Sequence, residues 1–443
     1  MPFFGPIGDF SKNPIEFLTR MAKDYDGFAY ARIMGKDFYL ISDPVEIEAV
    51  LIKHAADAGK DEFVGSILSR ALGRGLVTSS GDFWRRQRKL VAFAFTPARI
   101  KAYGESMVDC VERGMADWRS DSVVNLHQEM SRFTVEIVAQ TLFGAAVNED
   151  AQVVAQALDV LNEYFANSPE AMMRVPTYVP TPRHLRFRRA LRQIDAVLYR
   201  IIAERRREGD DRRDLLSALL RAQDDDGSAL SDEQLRDECV TLFVAGHETT
   251  ALALTHALHL LSINPAALAR LERELFEVLG DGLPSYDDLK QLEYTHHVLR
   301  ESMRLFPPIW IMGRQVEREF SLRGYELPKG AQLIFSQWVV HRDPRFFPEP
   351  EEFRPERWEK TSERALPRLA YFPFGAGPRV CVGNHFAMME AVLLLARICQ
   401  RYRVEALAGE KLEFAPSITL RPKGDGLRVR VRARGAEGLA RAV

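Results

Sequence analysis

The chain has few cysteines, almost no net charge and no long apolar run. Its four cysteines are too few and too scattered for a disulfide framework. A net charge of −2, with no basic tail and no zinc-finger spacing, gives no reason to expect nucleic acid as a partner. No stretch reaches the roughly 20 apolar residues that span a bilayer, and the first residues lack the pattern of a secretory signal. We expect a cytoplasmic monomer without a membrane span.

Two cofactor-binding patterns are also missing. The sequence contains no GxGxxG fingerprint for a dinucleotide and no CxxC cluster for an iron–sulfur centre. The chain therefore carries no flavin, nicotinamide or iron–sulfur group of its own. Any redox chemistry that it performs needs electrons from a separate protein.

The pattern along the chain predicts a mainly α fold with small β-sheets. Ser231 and Gln234 form a capping box that opens a helix running to Asn264. The region 27–43 alternates like strands, and a long proline-studded stretch at 343–373 is irregular. ITLRPKG and LRVRVRA near the end suggest a terminal hairpin. We expect a single domain over residues 1–443, with 432–443 as a loose tail.

One cysteine differs from the others because of its neighbours. Residues 372–383 read FPFGAGPRVCVG, a glycine- and proline-rich loop that delivers Cys381 to the start of a helix. Helix-start N–H groups and the cationic Arg379 lower the pKa of a thiol. From these residues alone, a reactive thiol in a turn and a merely buried cysteine are both open.

Three other segments combine residues that suit particular chemistry. In AGHETT, Ala245 and Gly246 remove bulk beside Glu248 and Thr249, although a glycine-weakened helix would look the same. An indole N–H and a guanidinium four residues apart suit a carboxylate, and Trp84 and Arg88 have that spacing. Glu301 and Arg304 share one helical face in apolar surroundings, which favours a buried ion pair. The histidine pair His256/His259 is interpreted as structural, because no third ligand stands nearby.

Phe374, Gly377, Arg379, Cys381 and Gly383 together resemble the heme-binding loop of the cytochrome P-450 family. The resemblance covers nearly the whole chain and implies that family's fold, a triangular helical prism with a long central helix over heme b (iron protoporphyrin IX). It implies that Cys381 is the axial iron ligand, that Phe374 packs beside the sulfur and that Arg379 pairs with a heme propionate. The same resemblance makes Trp84, Arg88 and, with less support from its spacing, Arg314 propionate ligands.

The family's other motifs assign further roles. AGHETT resembles its oxygen-activating segment, in which Ala245 and Gly246 lie against the heme, Glu248 relays protons and Thr249 holds oxygen and its water. The ExxR motif of Glu301 and Arg304, completed by Arg357, would brace the segment that leads to Cys381. A thiolate ligand favours O–O cleavage. The implied function is a monooxygenase that hydroxylates or epoxidises a lipophilic substrate such as a fatty acid, terpenoid or macrocyclic natural product.

The resemblance also implies an electron supply and a substrate site. Electrons would come from a ferredoxin or flavodoxin with its NAD(P)H-dependent reductase. Cations that could dock an acidic carrier are Arg85, Arg86, Lys89, Arg99, Lys101, Arg364 and Arg368. Substrate-lining candidates by position in the family fold are Phe63, Ile67, Leu68, Leu72, Met172, Met173, Val175, Tyr178, Phe243 and 309–312.

Three alternatives stay open. A peroxygenase or isomerase on the same fold would need no electron carrier, but an intact Glu248–Thr249 pair argues against it. A non-catalytic heme sensor or electron carrier would be expected to fill both axial positions, and no motif supplies a distal ligand. A non-heme redox thiol at Cys381 predicts a protein without heme.

Overall fold

The computed structural model describes residues 7–33, 35–144, 148–173, 175–208, 214–224, 227–359, 365–424 and 426–434. It is 58% helical, which confirms the expected mainly α class. The helices, in chain order, are α1 Ile7–Lys12, α2 Pro14–Asp24, α3 Pro44–Glu48, α4 Glu62–Leu72, α5 Gly81–Ala92, α6 Pro97–Met115, α7 Leu126–Phe143, α8 Asn148–Asn167, α9 Pro169–Met172, α10 Pro182–Glu208, α11 Leu215–Arg221, α12 Asp232–Ile263, α13 Pro265–Leu279, α14 Glu293–Leu305, α15 Gln337–Val340 and α16 Asn384–Arg401.

Twelve short strands occur within the described ranges. They are β1 Phe28–Ile33, β2 Lys36–Ile41, β3 Ala58–Lys60, β4 Ser122–Asn125, β5 Met312–Val316, β6 Phe320–Leu322, β7 Tyr325–Leu327, β8 Gln332–Phe335, β9 Tyr402–Ala406, β10 Phe414–Pro416, β11 Leu420–Pro422 and β12 Arg428–Ala433. The largest sheet has the order β1-β2-β8-β5-β3, and a second has the order β4-β12-β9. The remaining pairs, β6-β7 and β10-β11, are separate hairpins.

Helix α12 is the structural centre of the fold. The predicted capping box of Ser231 and Gln234 is present, and the helix runs 32 residues, or about 48 Å. Nearly all of its second half is buried, because α7, α10, α14 and α16 pack around it. No single helix in the described ranges is apolar and long enough to cross a membrane, while the bent pair α12 and α13, at 112°, meets that test by length and composition.

The expected terminal hairpin is wrong. β11 pairs with β10, whereas β12 pairs with β9 on one side and with β4 on the other. Val429 and Val431 of β12 are fully buried, so this strand completes the core beneath α7 instead of folding back on its sequence neighbour. Arg432 and Ala433 belong to β12 and not to a loose tail. Residues 435–443 lie outside the described ranges.

Candidate functional site

The cysteine loop needs glycine at two positions. Gly375 and Gly377 have φ of +70° and +69°, in the left-handed region that other residues rarely adopt. A Cβ on Gly377 would lie 1.9 Å from the carbonyl oxygen of Leu51. The amide of Cys381 donates to the carbonyl of Phe374 at 2.9 Å, which closes the turn. The chain therefore presents Cys381 at a defined position, three residues before α16 begins.

The thiol of Cys381 faces solvent, yet protein surrounds it. The side chain of Cys381 is exposed, yet desolvation by the surrounding protein is the main cause that raises its pKa. Both hold for a side chain at the base of a concave site. The backbone N–H of Gly383 and the charge of Arg88 oppose the rise. The expectation that the helix start and Arg379 would lower this pKa overall is wrong, because burial outweighs the N–H of Gly383 and the charge of Arg88.

Arg379 is directed away from the thiol. Its guanidinium lies 4.2 Å from the centre of the Trp84 ring and donates to the carbonyl of Ser79 at 3.1 Å. Trp84 and Arg88 are on α5, and Trp84 is buried. Burial and the charge of Arg88 lower the pKa of Arg379 to about 10, although Glu317 opposes them. The structure thus brings together three of the side chains predicted to bind carboxylates.

Strands β3 and β5 add two more cations to this cluster. Arg314 is mostly enclosed, and burial together with Arg379 lowers its pKa to about 10. Its guanidinium donates to the carbonyl of Gly313 at 2.9 Å. Lys60 is the cross-strand partner of Arg314 in the β3–β5 pairing. Burial and the charges of Arg379 and Arg314 lower the pKa of Lys60 to about 7, with Asp61 opposing them.

Lys60 was missed in the sequence because no motif surrounds it. It precedes an acidic pair in the segment AGKDE and reads like an ordinary surface lysine. Only the β3–β5 register places it beside Arg314, 254 positions along the chain. Four cations, Lys60, Arg88, Arg314 and Arg379, then form what we call the cation cluster. These four cations repel one another at a site with little water, and the repulsion favours binding of a ligand with at least two negative charges.

The AGHETT segment exposes one side of a helix that is otherwise buried. Ala245 is exposed and Gly246 and Thr249 are partly exposed, whereas residues 250–261 are all buried. Accessible residues in the middle of a core helix line an internal cavity. Thr249 Oγ1 donates to the carbonyl of Ala245 at 2.7 Å, a local bond that can exchange for one to a ligand. A Cβ on Gly246 would touch only Val138, at 3.4 Å.

Glu248 is buried on another side of the same helix turn. Its carboxylate accepts from Thr419 Oγ1 at 2.7 Å and from the guanidinium of Arg421 on β11. Desolvation raises the pKa of Glu248, but the hydrogen bond and charge of Arg421 and the hydrogen bond of Thr419 outweigh it, so this pKa lies below its ordinary value. Glu248 is therefore an ionised carboxylate clamped by two residues that the sequence did not single out. Nothing in ITLRPKG pointed to α12.

The predicted Glu301–Arg304–Arg357 network is confirmed. Glu301 and Arg304 are fully buried and form two hydrogen bonds of 2.9 Å. Arg357 Nε and Trp358 Nε1 donate to the same carboxylate at 2.8 and 2.9 Å. Arg304 also donates to the carbonyl of Pro350 at 2.7 Å. The network fastens the irregular segment 341–358 to α14, as its interpretation as a brace requires.

The substrate candidates separate into three groups. Leu68, Leu72, Phe243 and Trp310 are buried in apolar cores. Met173 and Tyr178 are each 77% exposed on an outer loop. Those with partial exposure are Ile67, Val175, Ile309, Ile311 and Met312. A Cβ on Gly375 would lie 3.9 Å from Met312, so Met312 lies beside the cysteine loop. The side chains of Phe63 and Met172 lie outside the described set.

Most of the expected docking cations are already neutralised within the chain. Arg86 and Lys89 both pair with Asp224 at 3.2 Å. Other acidic partners are Asp82 for Arg85, Asp287 for Lys101 and Glu48 for Arg368. Arg99 stacks on Phe93 at 4.7 Å, and Arg364 lies outside the described residues. The structure does not assemble these side chains into a free positive face.

The site as a whole fits an iron porphyrin with two carboxylates. Cys381 offers a thiolate ligand at the base of a concave site, and the cation cluster with Trp84 offers donors for two carboxylates. The small Ala245 and Gly246 allow close approach of a flat group to α12. A thiolate-bound heme supplies dioxygen activation, and heme is the cofactor of this chain's family.

Comparisons with known proteins agree with this geometry. The family model described as Cytochrome P450 matches residues 1–429. Cyclooctatin synthase of Streptomyces melanosporofaciens is 35% identical, covering 95% of this chain and 92% of that one. Pentalenene oxygenase of Streptomyces avermitilis is 34% identical, over 91% and 90%. The solved structure of a cyanobacterial CYP120A1 with retinoic acid bound has a TM-score of 0.85 at 26% identity, over 98% and 97%. The chain belongs to the cytochrome P450 family and is a heme-dependent monooxygenase.

Proposed function

We propose that this monooxygenase hydroxylates a terpenoid of low polarity, with electrons from a separate ferredoxin or flavodoxin and its NAD(P)H-dependent reductase. The named relatives support the substrate class, since they include terpenoid monooxygenases and a protein solved with retinoic acid. The partly exposed Met312 supports it too, because its apolar side chain lies beside the cysteine loop. Carriers of this kind are reduced in the cytoplasm, where we place the protein as a single-domain monomer.

The observation that carries the proposal is the accessible thiol of Cys381 next to the cation cluster. In this arrangement Cys381 ligates the heme iron and Phe374 packs beside the sulfur. Arg379, Arg314 and Lys60, with Trp84 and Arg88, hold the two propionates. The small Ala245 and Gly246 of α12 would leave room for the cofactor beside this helix.

Two residues of α12, Thr249 and Glu248, have different roles in proton transfer. Thr249 has the only hydroxyl on the accessible turn formed by Ala245, Gly246 and Thr249, and its bond to the Ala245 carbonyl can open to hold a water or an oxygen atom. Arg421 and Thr419 keep Glu248 ionised. When their hydrogen bonds to the carboxylate loosen, Glu248 can take up a proton from the side of β11 and pass it toward Thr249. Cleavage of an O–O bond needs protons delivered at one atom, which is general-acid catalysis.

The first experiment is the spectrum of the reduced protein with carbon monoxide. A strongly red-shifted Soret band is expected from thiolate ligation by Cys381, and folded, heme-loaded protein without that band would overturn the assignment. Label from heavy-isotope dioxygen should then appear in the product when electrons are supplied. Turnover that runs only with added peroxide would indicate a peroxygenase instead.

The role of Thr249 has a matched control within the same helix. Thr249→Ala should consume reductant at a similar rate but release peroxide in place of product, because its hydroxyl no longer directs protons. Thr255 makes the same type of bond, to Ala251 at 2.7 Å, but is fully buried, so Thr255→Ala should keep the wild-type ratio of product to reductant. Equal ratios in the two variants would remove Thr249 from the mechanism.

The substrate class is tested by binding. A cyclic terpenoid hydrocarbon should shift the Soret band of the resting protein at micromolar concentration, whereas a saturated fatty acid of similar size should not, since Met312 is apolar and the nearby cations Arg314 and Lys60 are assigned to the heme propionates. The reverse preference would refute the terpenoid assignment while leaving the monooxygenase class intact.

A further inference from the structure

Two histidines near Glu248 have ring nitrogens that are enclosed without a hydrogen-bond partner. His256, in α12, is fully buried, and its Nδ1 bonds the carbonyl of Phe306 at 3.0 Å. Its Nε2 and the Nδ1 of His127, in the first turn of α7, are both buried and have no partner among the described residues. Buried polar atoms in folded proteins are nearly always hydrogen-bonded, so these two nitrogens require water.

Helices α7 and α12 pack against each other in opposite directions. Phe143, the last residue of α7, stacks on Phe243 of α12 with ring centroids 6.5 Å apart. A Cβ on Gly246, later in α12, would lie 3.4 Å from Val138, which is earlier in α7. Positions nearer the start of α7 therefore face positions nearer the end of α12.

This packing brings His127 beside His256. His127 precedes Val138 by eleven residues, or about 16 Å of helix, and the same distance from Gly246 along α12 ends one residue beyond His256. Burial lowers the pKa of His256 to about 3, and the charges of His127 and His259 add to this effect. The two enclosed nitrogens therefore belong to one polar site between α7 and α12.

The β10–β11 hairpin joins this polar site to Glu248. Phe414 of β10 packs edge-on against the ring of His256, with centroids 5.5 Å apart. Arg421 of β11 donates to the carboxylate of Glu248, two turns earlier in α12. Burial and the charge of Arg421 lower the pKa of His127 to about 4, while Glu248 opposes them. His127 thus lies close to the ion pair of Arg421 and Glu248.

His127 also connects the polar site with the protein surface. The residue is partly exposed although its Nδ1 is enclosed, whereas Glu248 and His256 are buried. Arg421 is partly exposed too, but a guanidinium does not give up its proton. The remaining titratable group that acts on His127 is His247, which lowers its pKa further. An imidazole in this position can accept a proton outside and donate one inside.

We propose that His127 is a positioning residue for proton supply, which takes protons from solvent and passes them to Glu248 through water held at the enclosed nitrogens of His127 and His256. The inference rests on the proposed role of Glu248. A proton that reaches the exposed side of the ring makes His127 a cation, and this cation repels Arg421 from Glu248. The enclosed N–H bond then breaks, the proton moves through water, and an O–H bond forms on the carboxylate. The ring is neutral again, and no other bond changes.

The neighbourhood of His127 is tested by nuclear magnetic resonance of the reduced, carbon monoxide-bound protein labelled in its histidines. The His127 signal is the one that disappears in His127→Gln. Arg421→Gln should move the titration of this signal to higher pH, because a neighbouring positive charge is removed. The control is Lys423→Gln, which removes an exposed cation two residues further along the chain and should leave the titration in place. An Arg421→Gln protein with the wild-type titration would overturn the proposal.

The supply of protons is tested by steady-state turnover of the cyclic terpenoid. His127→Gln, which cannot take up a proton, should lower kcat by about tenfold, less than the loss of a general acid itself, because water still reaches Arg421. KM should stay the same, and the solvent deuterium isotope effect should increase. His259→Gln is the matched control, since His259 is also buried with an unpartnered Nδ1 among the described residues but lies further from Glu248. It should keep the wild-type kcat and isotope effect, and both variants should keep the carbon monoxide spectrum, which shows that they fold.

A variant of Glu248 separates failure of this inference from failure of the proposed function. If His127 acts through Glu248, the double variant of His127→Gln and Glu248→Gln should be no slower than Glu248→Gln alone. Multiplied losses in the double variant, or a slow Glu248→Gln beside a His127→Gln at the wild-type rate, would refute the role of His127 only. A Glu248→Gln protein with wild-type kcat would refute the role of Glu248 and this inference together.

Discussion

Lys60 offers the sharpest test of the cofactor site. In the heme-free protein, burial and the charges of Arg379 and Arg314 lower its pKa from 10.5 to about 7, equivalent to about 5 kcal/mol against the charged form. Two propionates placed between these cations would remove the repulsion and restore the charge. Heme binding should therefore be accompanied by proton uptake at Lys60.

The direction of the pH dependence follows from this shift. Because the pKa is lowered on folding, the unfolded chain binds more protons between pH 7 and 10.5, and the heme-free protein gains stability as the pH rises through that range. The affinity for heme has the opposite pH dependence. Because one proton must be taken up on binding, each pH unit above 7 should weaken heme binding by up to about tenfold. Lys60→Met, which keeps the apolar stem, should abolish this part of the dependence.

The assay is titration of the heme-free protein with heme at pH 8 in a weak buffer containing a pH indicator. Release of the Cys381 proton is common to both proteins, so the informative quantity is the difference, and wild type should take up about one proton more per heme than Lys60→Met. The variant should also unfold at a higher denaturant concentration than wild type at pH 6 without heme, and lose heme faster when loaded. Identical proton counts and identical heme retention would show that Lys60 does not contact the propionates.

Three further predictions concern the scaffold. Gly377→Ala should yield protein without bound heme, because its Cβ would meet the Leu51 carbonyl; Gly409→Ala, at φ +84° with nothing within 4 Å, should keep its heme content. Glu301→Gln should cost about 3–5 kcal/mol of unfolding free energy by leaving Arg304 as an uncompensated buried charge, and a loss below about 1 kcal/mol in urea denaturation would contradict the brace. Arg421→Gln should destabilise the protein by about 3 kcal/mol at pH 7, because it leaves the buried Glu248 carboxylate without its cation. The loss of unfolding free energy should shrink as the pH falls through the ordinary glutamate pKa of 4.5 and Glu248 is protonated. An equal loss above and below that pH would show that Arg421 does not stabilise the protein through Glu248.

The features that could be predicted from the sequence are those set by short-range rules. The capping box of Ser231 and Gln234 begins α12 where expected, because both hydrogen bonds lie within one turn. The cysteine loop is equally local, since positive φ at Gly377 and the bond from Cys381 to Phe374 involve neighbouring residues. The ion pair of Glu301 and Arg304 follows from their spacing of three.

The errors arose where pairing is long-range. Residues 420–422 and 428–433 look like a hairpin in the sequence. A strand, however, pairs where its apolar side becomes buried, and β12 pairs with β9 and β4. The expected low pKa of Cys381 failed for a related reason, because local dipoles and charge were counted while the desolvation imposed by the whole fold was not.

The sequence by itself determined three local features of this chain. They are a glycine-rich loop that carries Cys381, a long helix that carries Glu248 and Thr249, and the ion pair of Glu301 and Arg304. Only the tertiary structure decided what surrounds them. It joined Lys60 to Arg314 across two strands and placed Arg421 and Thr419 against the carboxylate of Glu248. Charge, burial and partner are properties of positions in space, and a linear pattern contains them only where the contacts are short-range.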